Sequence, residues 1–491
     1  MKKFKLIASL LLACLIFAAC SQNGKDPAET GKTDGNGGQS PDAASGETAA
    51  FEASYWDTLQ ANDFGGGNFT ILDANLNAVY HHNMAVELIG EPINDELFNR
   101  DRFIEDKYNV NLDYIQIEGI GTGCASLEKS VKSGIHEYDL VISSVYGSSL
   151  GTVALNGALY NMIDVPYLSL TSPWWSKMLY ENMQFNNTLY YNGGDIYLPS
   201  YSQGPDVMMF NKKLFQDRGI EDNLYNMVFE GTWTLDVLER LTKDTDTDLN
   251  SDGKIHAKYD FFGLIYPNNP EYISGFVAGA GVKFSTVAED GELVMNLNTP
   301  LTITKIDRLS NMLNKINLTD QDEPFQITFK EGRALFTTTC MLVPQIWLRD
   351  MENDYGLLPM PKWDDAQKSY VSFSNPWGGG YIGIPADADI EKSGFLTEAM
   401  AYAGYEMLRG PVYDVTYSQK AARDEESARI VDIIIETAYM DFGGTYDFGG
   451  TQAIILNAIL NDKDFVSAYE KVEARIKENI EKFTQQWINV E

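Results

Sequence analysis

After residue 68, the spacing of apolar positions along the chain switches repeatedly between the two-residue period of strands and the longer period of helices. The segment FTILDA has a strand pattern, and NDELFNRDRFIEDKYN then carries apolar residues at helical spacing. VNLDYIQI predicts a second strand, CASLEKSVKSG a helix that ends at Gly134, and YDLVISS a short buried strand. This alternating order of strands and helices predicts a parallel sheet with helices on its faces.

Sheets of this kind bind ligands beyond the carboxyl ends of their parallel strands. The strand YDLVISS ends with Ser143 and Ser144, and Tyr146 lies two residues further along the chain. These three side chains are therefore candidates for ligand contact.

The rest of the chain continues the mixed pattern and then becomes helical. GTWTLDVLERLTK predicts a helix with Thr234 as its N-cap, FKEGRALFTTT a step from helix to strand, and YGLLPMP another strand. Four segments of the last quarter carry apolar stripes typical of helices: EKSGFLTEAMAYAGYEML, DEESARIVDIIIETAYM, TQAIILNAIL and FVSAYEKVEARIKENIEKFTQQW.

The first residues, MKKFKLIASLLLACLIFAAC, combine three lysines, an apolar run and small residues before Cys20. This pattern predicts a signal peptide over residues 1–19. Cleavage before Cys20 is typical of bacterial lipoproteins, so we expect a lipid on Cys20; a plain secreted protein is the alternative. Residues 20–66 begin with a long stretch almost without apolar side chains, which predicts a flexible tether.

Composition narrows the possible partners. The chain has 491 residues, of which 44% are hydrophobic, and this suffices for the cores of two or three domains. Its formal net charge of −33 argues against nucleic acid as a partner. Cys124 and Cys340 allow one disulfide or two thiols, and we favour two buried thiols. The four histidines match no zinc or catalytic-triad spacing that we recognise.

The stretch DTDLNSDGKIHAKYD resembles the first half of a calcium-binding loop, in which acidic and amide side chains alternate around a glycine. Its second half departs from that pattern, because His256 and Tyr259 occupy the ninth and twelfth positions. A solvated turn without an ion is the alternative to a single structural calcium. The predicted metal ligands are Asp248, Asn250, Asp252, Lys254 through its carbonyl, and Asp260.

Six segments then carry a family resemblance: EYDLVISS, DVMMFNKKLF, GTWTLDVLERL, FKEGRALFTTT, YGLLPMPK and PWGGGYIGIPADADIEKSGFLTEAMAYAGY. Their order resembles that of extracellular solute-binding proteins of family 1, which serve carbohydrate ABC importers and are related to maltose-binding proteins. The resemblance implies an α/β fold of the two-lobe periplasmic-binding-protein type II, with an interlobe ligand cleft and a helical C-terminal region. It also implies that the loop at 248–260 braces one lobe.

The implied division of the chain follows the family pattern. Residues 67–200 would form the first part of lobe 1, and 201–328 the first part of lobe 2. Residues 329–371 would return to lobe 1, and 372–491 would lie mainly in lobe 2.

Sugar clefts need aromatic faces for ring stacking and planar polar groups for hydroxyl pairs. Two glycine-rich loops, SNPWGGGYIGIP and YMDFGGTYDFGG, offer aromatic residues. The segment LPSYSQGPD, where the chain is predicted to cross first between the lobes, offers polar residues. Each has a structural alternative: buried core aromatics for the loops, and a hinge network for the crossing. Trp174 and Trp175 either fix a helix to its own lobe or stack on a sugar. The remaining candidates are Tyr201, Gln203, Asp206, Trp347, Trp377, Tyr381, Tyr446 and Phe448.

The sequence thus predicts a monomeric, lipid-anchored protein on the outer face of a cell membrane. It would capture a sugar or oligosaccharide and deliver it to an ABC transporter permease, without a catalytic cofactor. A binding protein for peptides or other polar solutes is one alternative. A cell-surface carbohydrate-active enzyme is another, because counting carboxylates does not exclude a catalytic pair.

Overall fold

We analysed a computed structural model of the chain. It describes residues 55–59, 61–74, 84–145, 149–197, 204–316, 323–348, 350–376, 379–413 and 425–488. The described residues belong to one compact unit that begins at Tyr55. The predicted signal peptide and Cys20 lie outside the described residues. Among the described helices, none combines the length and apolar character that a membrane crossing requires.

The strands of the described residues are, in chain order, β1 Gly67–Ala74, β2 Val110–Gln116, β3 Leu140–Ser143, β4 Asp206–Asn211, β5 Phe262–Ile265, β6 Ser285–Val287, β7 Leu293–Met295, β8 Ala334–Cys340, β9 Tyr355–Pro359, β10 Ser372–Phe373, β11 Tyr381–Gly383 and β12 Ala438–Tyr439.

The α-helices are α1 Pro92–Tyr108, α2 Ile120–Ser133, α3 Leu150–Leu155, α4 Lys177–Asn182, α5 Lys212–Asp217, α6 Leu224–Phe229, α7 Leu235–Thr242, α8 Pro270–Gly279, α9 Pro300–Ile316, α10 Phe325–Lys330, α11 Leu342–Trp347, α12 Ile390–Met407, α13 Arg409–Tyr413, α14 Glu425–Glu436, α15 Phe442–Tyr446, α16 Thr451–Leu460, α17 Phe465–Glu470 and α18 Glu473–Ile488.

Local sequence signals account for several helix ends. Pro92 occupies the first turn of α1, and the Glu91 carboxylate accepts a hydrogen bond from the Asn94 amide. Gly134 ends α2 in the left-handed conformation, as the sequence predicts. Thr234 occupies the N-cap position of α7, as predicted, but its side chain makes no capping hydrogen bond.

Two four-stranded sheets organise the body, and we call the parts built on them the first and second lobes. The first sheet has the order β11-β3-β1-β2, with β1 parallel to both β2 and β3. This confirms the predicted parallel arrangement, to which β11 adds an antiparallel edge. The second sheet has the order β5-β8-β4-β9; β5 is parallel to β8, and β4 is antiparallel to β8 and β9.

The pairing of the strands corrects the expected division of the chain. We expected residues 329–371 to return to lobe 1, but β8 and β9 flank β4 in the second sheet. The return is made instead by β11, which pairs with β3, and by α12, which packs on α1. The strand pattern of FTTT predicts a buried strand correctly, but its hydrogen-bonding partner lies more than a hundred residues away and has no local signature.

A second correction concerns the predicted tether, which we expected to extend to residue 66. Tyr55 and Trp56 already pack on the body, where the Trp56 indole donates a 2.8 Å hydrogen bond to Glu406. Their aromatic rings contact Tyr402 on α12. Partial burial of two large rings and their hydrogen bonds favour ordering of this short segment. The polar residues around it gave no sign of this packing in the sequence.

A buried carboxylate on α12 explains the paired tryptophans. The Glu398 carboxylate accepts hydrogen bonds from the indoles of Trp174 and Trp175, both at 2.9 Å. It also accepts the Tyr55 hydroxyl at 2.7 Å and the Ser169 amide at 3.1 Å. Both tryptophans are buried, so they fix this segment to the first lobe and present no face to a sugar.

Three extended segments lie side by side where the chain passes between the sheets. Pro205 bridges Ser374, and the Asn375 amide donates to the Gly204 carbonyl at 2.9 Å. The Ser374 amide in turn donates to the Tyr439 carbonyl at 2.7 Å, which continues the pairing of β10 with β12. The segments at 204–206, 372–376 and 437–441 therefore form one hydrogen-bonded ribbon.

Candidate ligand-binding cleft

Both sheets direct the carboxyl ends of their parallel strands toward the ribbon. In the first sheet, β3 ends beside Tyr381, where β11 begins shortly after the ribbon segment 372–376. In the second sheet, β4 begins at Asp206 directly after the ribbon, opposite Cys340 at the end of β8. Strand ends of this kind are the usual ligand-binding edges of α/β sheets, so the cleft lies between them.

The first lobe contributes small, buried hydroxyl groups at this edge. Ser143 donates a 2.9 Å hydrogen bond to the Ala74 carbonyl, and its oxygen lies 3.6 Å from the Cys124 sulfur. Ser144 and Tyr381 are buried beside it. The structure thus brings three predicted residues together. The Ser143 hydroxyl is already occupied within the lobe, so this serine supports the edge.

The second lobe contributes a buried aspartate, Asp206, where β4 begins in the second sheet. Asp206 is fully buried, and neither carboxyl oxygen has a hydrogen-bond partner. Gly275 on α8 makes room for it, because a Cβ there would lie 2.4 Å from the Asp206 Oδ2 atom. Burial, with a smaller contribution from the negative charge of Glu271, raises the pKa of Asp206 well above its usual value.

A cavity of about 590 Å³ lies where the last helices meet the first lobe. Val145 follows the end of β3, and Thr152 belongs to α3; both are in the first lobe. The remaining lining residues come from the end of α15, from the segment that follows it and from α18. The lining is Val145, Thr152, Thr445, Tyr446, Asp447, Gly449, Gly450, Arg475 and Asn479.

The polar groups of the cavity are held in place by their neighbours. The Asp447 carboxylate accepts the Gln452 amide at 2.8 Å and the Thr451 hydroxyl at 3.2 Å. Burial raises the pKa of Asp447, and Glu271 adds to the increase. Arg475 donates to the Gly449 carbonyl. The cavity therefore offers a carboxylate, a guanidinium, hydroxyls and an amide to a polar ligand.

The two aromatic candidates of the loop at 446–448 differ in their surroundings. The Tyr446 ring lines the cavity, and its hydroxyl lies 3.3 Å from the Tyr191 hydroxyl. Phe448 is buried, with its ring parallel to Tyr446 at 6.1 Å and its edge against Phe483. The structure thus places Tyr446 at the cavity and Phe448 in the core beneath it.

The other aromatic and polar candidates divide into two groups. Trp347 ends α11 with 38% of its surface exposed and does not line the described cavity. Tyr146, Tyr201, Gln203 and Trp377 lie outside the described residues, so their predicted roles stay predictions.

The loop at 248–260 is closed by its own hydrogen bonds. The Asp248 carboxylate accepts the amides of Ser251 and Gly253 at 2.6 and 2.8 Å. Asp260 is buried and accepts the amides of Leu249 and His256 at 2.9 and 2.7 Å. Over the described part of the chain, no group of three His, Cys, Asp or Glu residues is arranged to hold a metal ion.

These hydrogen bonds shape the turn with carboxylate oxygens that a calcium ion would otherwise use. Asn250 and Asp252 fit the turn in the same way: their side-chain oxygens accept the amides of Asp252 and Lys254 at 3.0 and 2.9 Å. The oxygen-rich donor set fits the chemistry of calcium, and the ion stays a prediction.

Comparisons with solved structures identify the architecture. The cyclic α-maltosyl-1,6-maltose binding protein of Arthrobacter globiformis matches at a TM-score of 0.59 and 13% identity, over 85% of this chain and 99% of that one. The maltose-binding periplasmic protein of Listeria monocytogenes, in complex with maltose, matches at 0.56 and 15% identity, over 85% and 98%. This chain has the two-lobed periplasmic-binding-protein fold. No protein-family profile and no curated protein sequence matches it significantly.

A third solved structure with this fold is the maltose/maltodextrin-binding domain of Bdellovibrio bacteriovorus, bound to maltotriose. It matches at a TM-score of 0.54 and 14% identity, over 84% of this chain and 100% of that one. At such low identity the likeness establishes the periplasmic-binding-protein fold and leaves the ligand to be argued from the cleft.

Sequence reasoning missed several residues that this fold brings to the cleft. Asp447 lies between Tyr446 and Phe448, and the sequence prediction for this loop considered only those two aromatic residues. Arg475 and Asn479 carry no local signal, because only the packing of α18 brings them to the cavity.

Proposed function

We propose that this chain is the solute-binding subunit of an ABC importer and that it captures a sugar or oligosaccharide in the cleft between its lobes. The observation that carries the proposal is the cavity where the last helices meet the first lobe, lined by an aromatic face, hydroxyls and charged hydrogen-bonding groups. Solved structures of the same fold were determined with maltose and maltotriose.

The mechanism follows from the connection between the lobes. The ribbon of three hydrogen-bonded segments is the element about which the lobes would rotate. A ligand that contacts both lobes only when they are close together shifts the population toward that arrangement. The closed form would then be recognised by the permease subunits.

The N-terminal sequence completes the proposal. Cleavage before Cys20 and lipidation of its sulfur would hold the protein at the outer face of a cell membrane. Residues between Cys20 and Tyr55 would be the tether that lets the folded body reach a permease. We expect the body to act as a monomer.

Ligand binding tests this proposal directly. The melting temperature of the purified protein is measured with mono- and oligosaccharides, amino acids and short peptides, and the recovered ligands are analysed for cleavage. A ligand that binds only the folded state raises the melting temperature by mass action. We expect a saccharide to raise it and to be recovered intact.

A pair of variants connects binding to the site. Tyr446→Ala removes the aromatic face and should weaken sugar binding at least tenfold, whereas Tyr446→Phe keeps the ring and should stay within about threefold of the wild type. A shift with peptides alone would overturn the sugar as ligand. Cleaved saccharide would instead establish an enzyme.

A further inference from the structure

Buried aromatic rings join the C-terminal helices to the first lobe. The ring centre of Trp487, near the end of α18, lies 4.9 Å from that of Tyr190, and the Tyr190 hydroxyl donates a 2.8 Å hydrogen bond to the Trp487 carbonyl. The Tyr191 ring meets Trp487 edge-on at 6.2 Å, and Phe185 lies 5.9 Å from Phe442 on α15. All five side chains are buried, and we call them the aromatic seam.

The two sides of the aromatic seam belong to different lobes. Its tyrosines directly precede Asn192, whose backbone pairs with β11 in the first sheet. The C-terminal helices are held by the second lobe, because α16 packs on α8 and α9, and the Ser310 hydroxyl donates to the Ala458 carbonyl at 3.0 Å. The Gly443 amide of α15 also donates to the Ser285 hydroxyl oxygen on β6 at 2.8 Å. The seam is therefore a contact between the lobes in addition to the ribbon.

The elements that form the seam also form walls of the ligand cavity. Arg475 and Asn479, in the first half of α18, line the cavity, and Trp487 lies two turns further along the same helix. Tyr446 lines the cavity as well; its ring lies 6.3 Å from that of Trp487, and its hydroxyl lies 3.3 Å from the Tyr191 hydroxyl. The seam thus holds these walls against the wall that the first lobe provides.

A contact between two lobes favours the arrangement in which it forms, whether or not a ligand is bound. The apparent affinity for a ligand falls with the fraction of the protein that has the binding-competent arrangement. Side chains that touch no ligand can therefore set the affinity. Tyr190 and Trp487 have this position, since both belong to the seam and neither lines the described cavity.

We propose that Tyr190 and Trp487 are positioning residues: the aromatic seam keeps the lobes in the arrangement that completes the cavity, and weakening the seam lowers saccharide affinity by letting the lobes separate. This inference rests on the proposed function and names what regulates the same cavity.

Two buried tyrosines give a matched comparison. The Tyr266 hydroxyl, like that of Tyr190, donates a 2.8 Å hydrogen bond to a backbone carbonyl, that of Leu313 on α9, but this bond lies within the second lobe. Calorimetry uses the saccharide that raises the melting temperature of the wild type most. Tyr190→Phe should weaken its binding about threefold to tenfold, the range expected for one lost hydrogen bond. Tyr266→Phe should lower stability by a similar amount and leave the affinity within about twofold of the wild type.

A second pair of variants tests the ring of Trp487. Its buried indole N–H has no hydrogen-bond partner among the described residues, so Trp487→Phe keeps a ring in the seam without losing a hydrogen bond. This variant should bind within about threefold of the wild type, whereas Trp487→Leu should bind about tenfold more weakly or worse. Circular dichroism checks that each variant is folded.

Small-angle X-ray scattering reads the lobes without any ligand. The ligand-free Trp487→Leu and Tyr190→Phe variants should have a larger radius of gyration than the wild type and Tyr266→Phe. Saturating saccharide should return the variants to the wild-type value, because bound ligand favours the same arrangement as the seam.

The outcomes separate the two proposals. Equal affinities of Tyr190→Phe and Tyr266→Phe overturn the role of the seam, and so does an unchanged radius of gyration in ligand-free Tyr190→Phe. Tighter binding by Trp487→Leu overturns it as well, because the seam would then oppose the binding-competent arrangement. If Trp487→Leu does not fold, the tyrosine pair still decides. Failure of every saccharide to bind the wild type refutes the proposed function instead, and the scattering comparison still tests the seam.

Discussion

The substitution Glu398→Gln tests a buried carboxylate of the first lobe that accepts four hydrogen bonds. One oxygen of Glu398 accepts the Tyr55 hydroxyl and the Trp174 indole, and the other accepts the Trp175 indole and the Ser169 amide. Four donors around two oxygens suit a carboxylate, which has only acceptor sites. Glutamine has nearly the same shape and replaces one oxygen with an NH₂ group.

The geometry gives the size of the effect. Either orientation of the amide points its NH₂ group at two donors, and an indole N–H cannot reverse its role. In the least harmful orientation, the NH₂ group of the glutamine faces Tyr55 and Trp174. The Tyr55 hydroxyl can rotate to accept a hydrogen bond from it, but the buried Trp174 N–H loses its acceptor. An unsatisfied buried donor costs about 1 to 3 kcal/mol, and the remaining bonds lose their charge assistance. The free energy of unfolding should fall by about 3 to 5 kcal/mol.

Equilibrium urea unfolding, followed by circular dichroism and tryptophan fluorescence, measures this loss. Tyr55→Phe removes a single donor and should cost about 1 to 2 kcal/mol. Glu473→Gln removes an exposed ion pair with Lys477 on α18 and should cost less than about 1 kcal/mol. If Glu398→Gln unfolds within about 1 kcal/mol of the wild type, the network does not stabilise the lobe as we argue.

Three further predictions concern titration, metal binding and thiols. The raised pKa of Asp206 means that the folded state keeps a proton that the unfolded state releases above about pH 4. Its contribution to stability should therefore fall as pH rises from about 4 toward the folded-state pKa. Urea unfolding across this range should show that the free energy of unfolding declines less steeply with pH in Asp206→Asn than in the wild type. Parallel pH profiles would contradict the raised pKa of Asp206. If the loop at 248–260 binds calcium, a chelator should lower the melting temperature, and Asp252→Ala should abolish this response. An unchanged melting temperature would indicate that the hydrogen bonds of the turn hold the loop without an ion. Cys124 and Cys340 are free and buried, and burial raises the pKa of each thiol to about 11. Both should react with a thiol reagent only after denaturation, and rapid labelling of the native protein would show that the core opens.

Much of the candidate site was within reach of sequence reasoning. The sequence predicted that Ser143 and Ser144 lie at a strand end, and the structure places them with Tyr381 at the end of β3, because strand ends and the sheet that β3 joins can be recognised from the alternating elements. Tyr446 stands out as an aromatic residue before a late helix. Composition favoured two buried thiols, and the structure places Cys124 and Cys340 as free, buried cysteines.

Nonlocal packing decided the rest. Whether Trp174 stacks on a sugar or serves the core depends on Glu398, more than two hundred residues later. The same holds for Asp206, whose burial depends on the space that Gly275 leaves on α8. In both cases the decisive contact involves a residue that local pattern does not connect to the site.

The sequence by itself predicted many of the strands and helices, since periodicity, caps and glycines act within a few residues. It did not show that the predicted helix ending in TAYM gives way to strand Ala438–Tyr439, or that the last predicted helix is two helices, Phe465–Glu470 and Glu473–Ile488. It also determined the acidic charge of the protein and the pattern of its N-terminus. Only the tertiary structure decided that β8 and β9 flank β4, and that Gly275 on α8 leaves room for the buried Asp206 side chain. Backbone hydrogen bonds between strands are chemically alike, so the choice of partner depends on how the whole core packs.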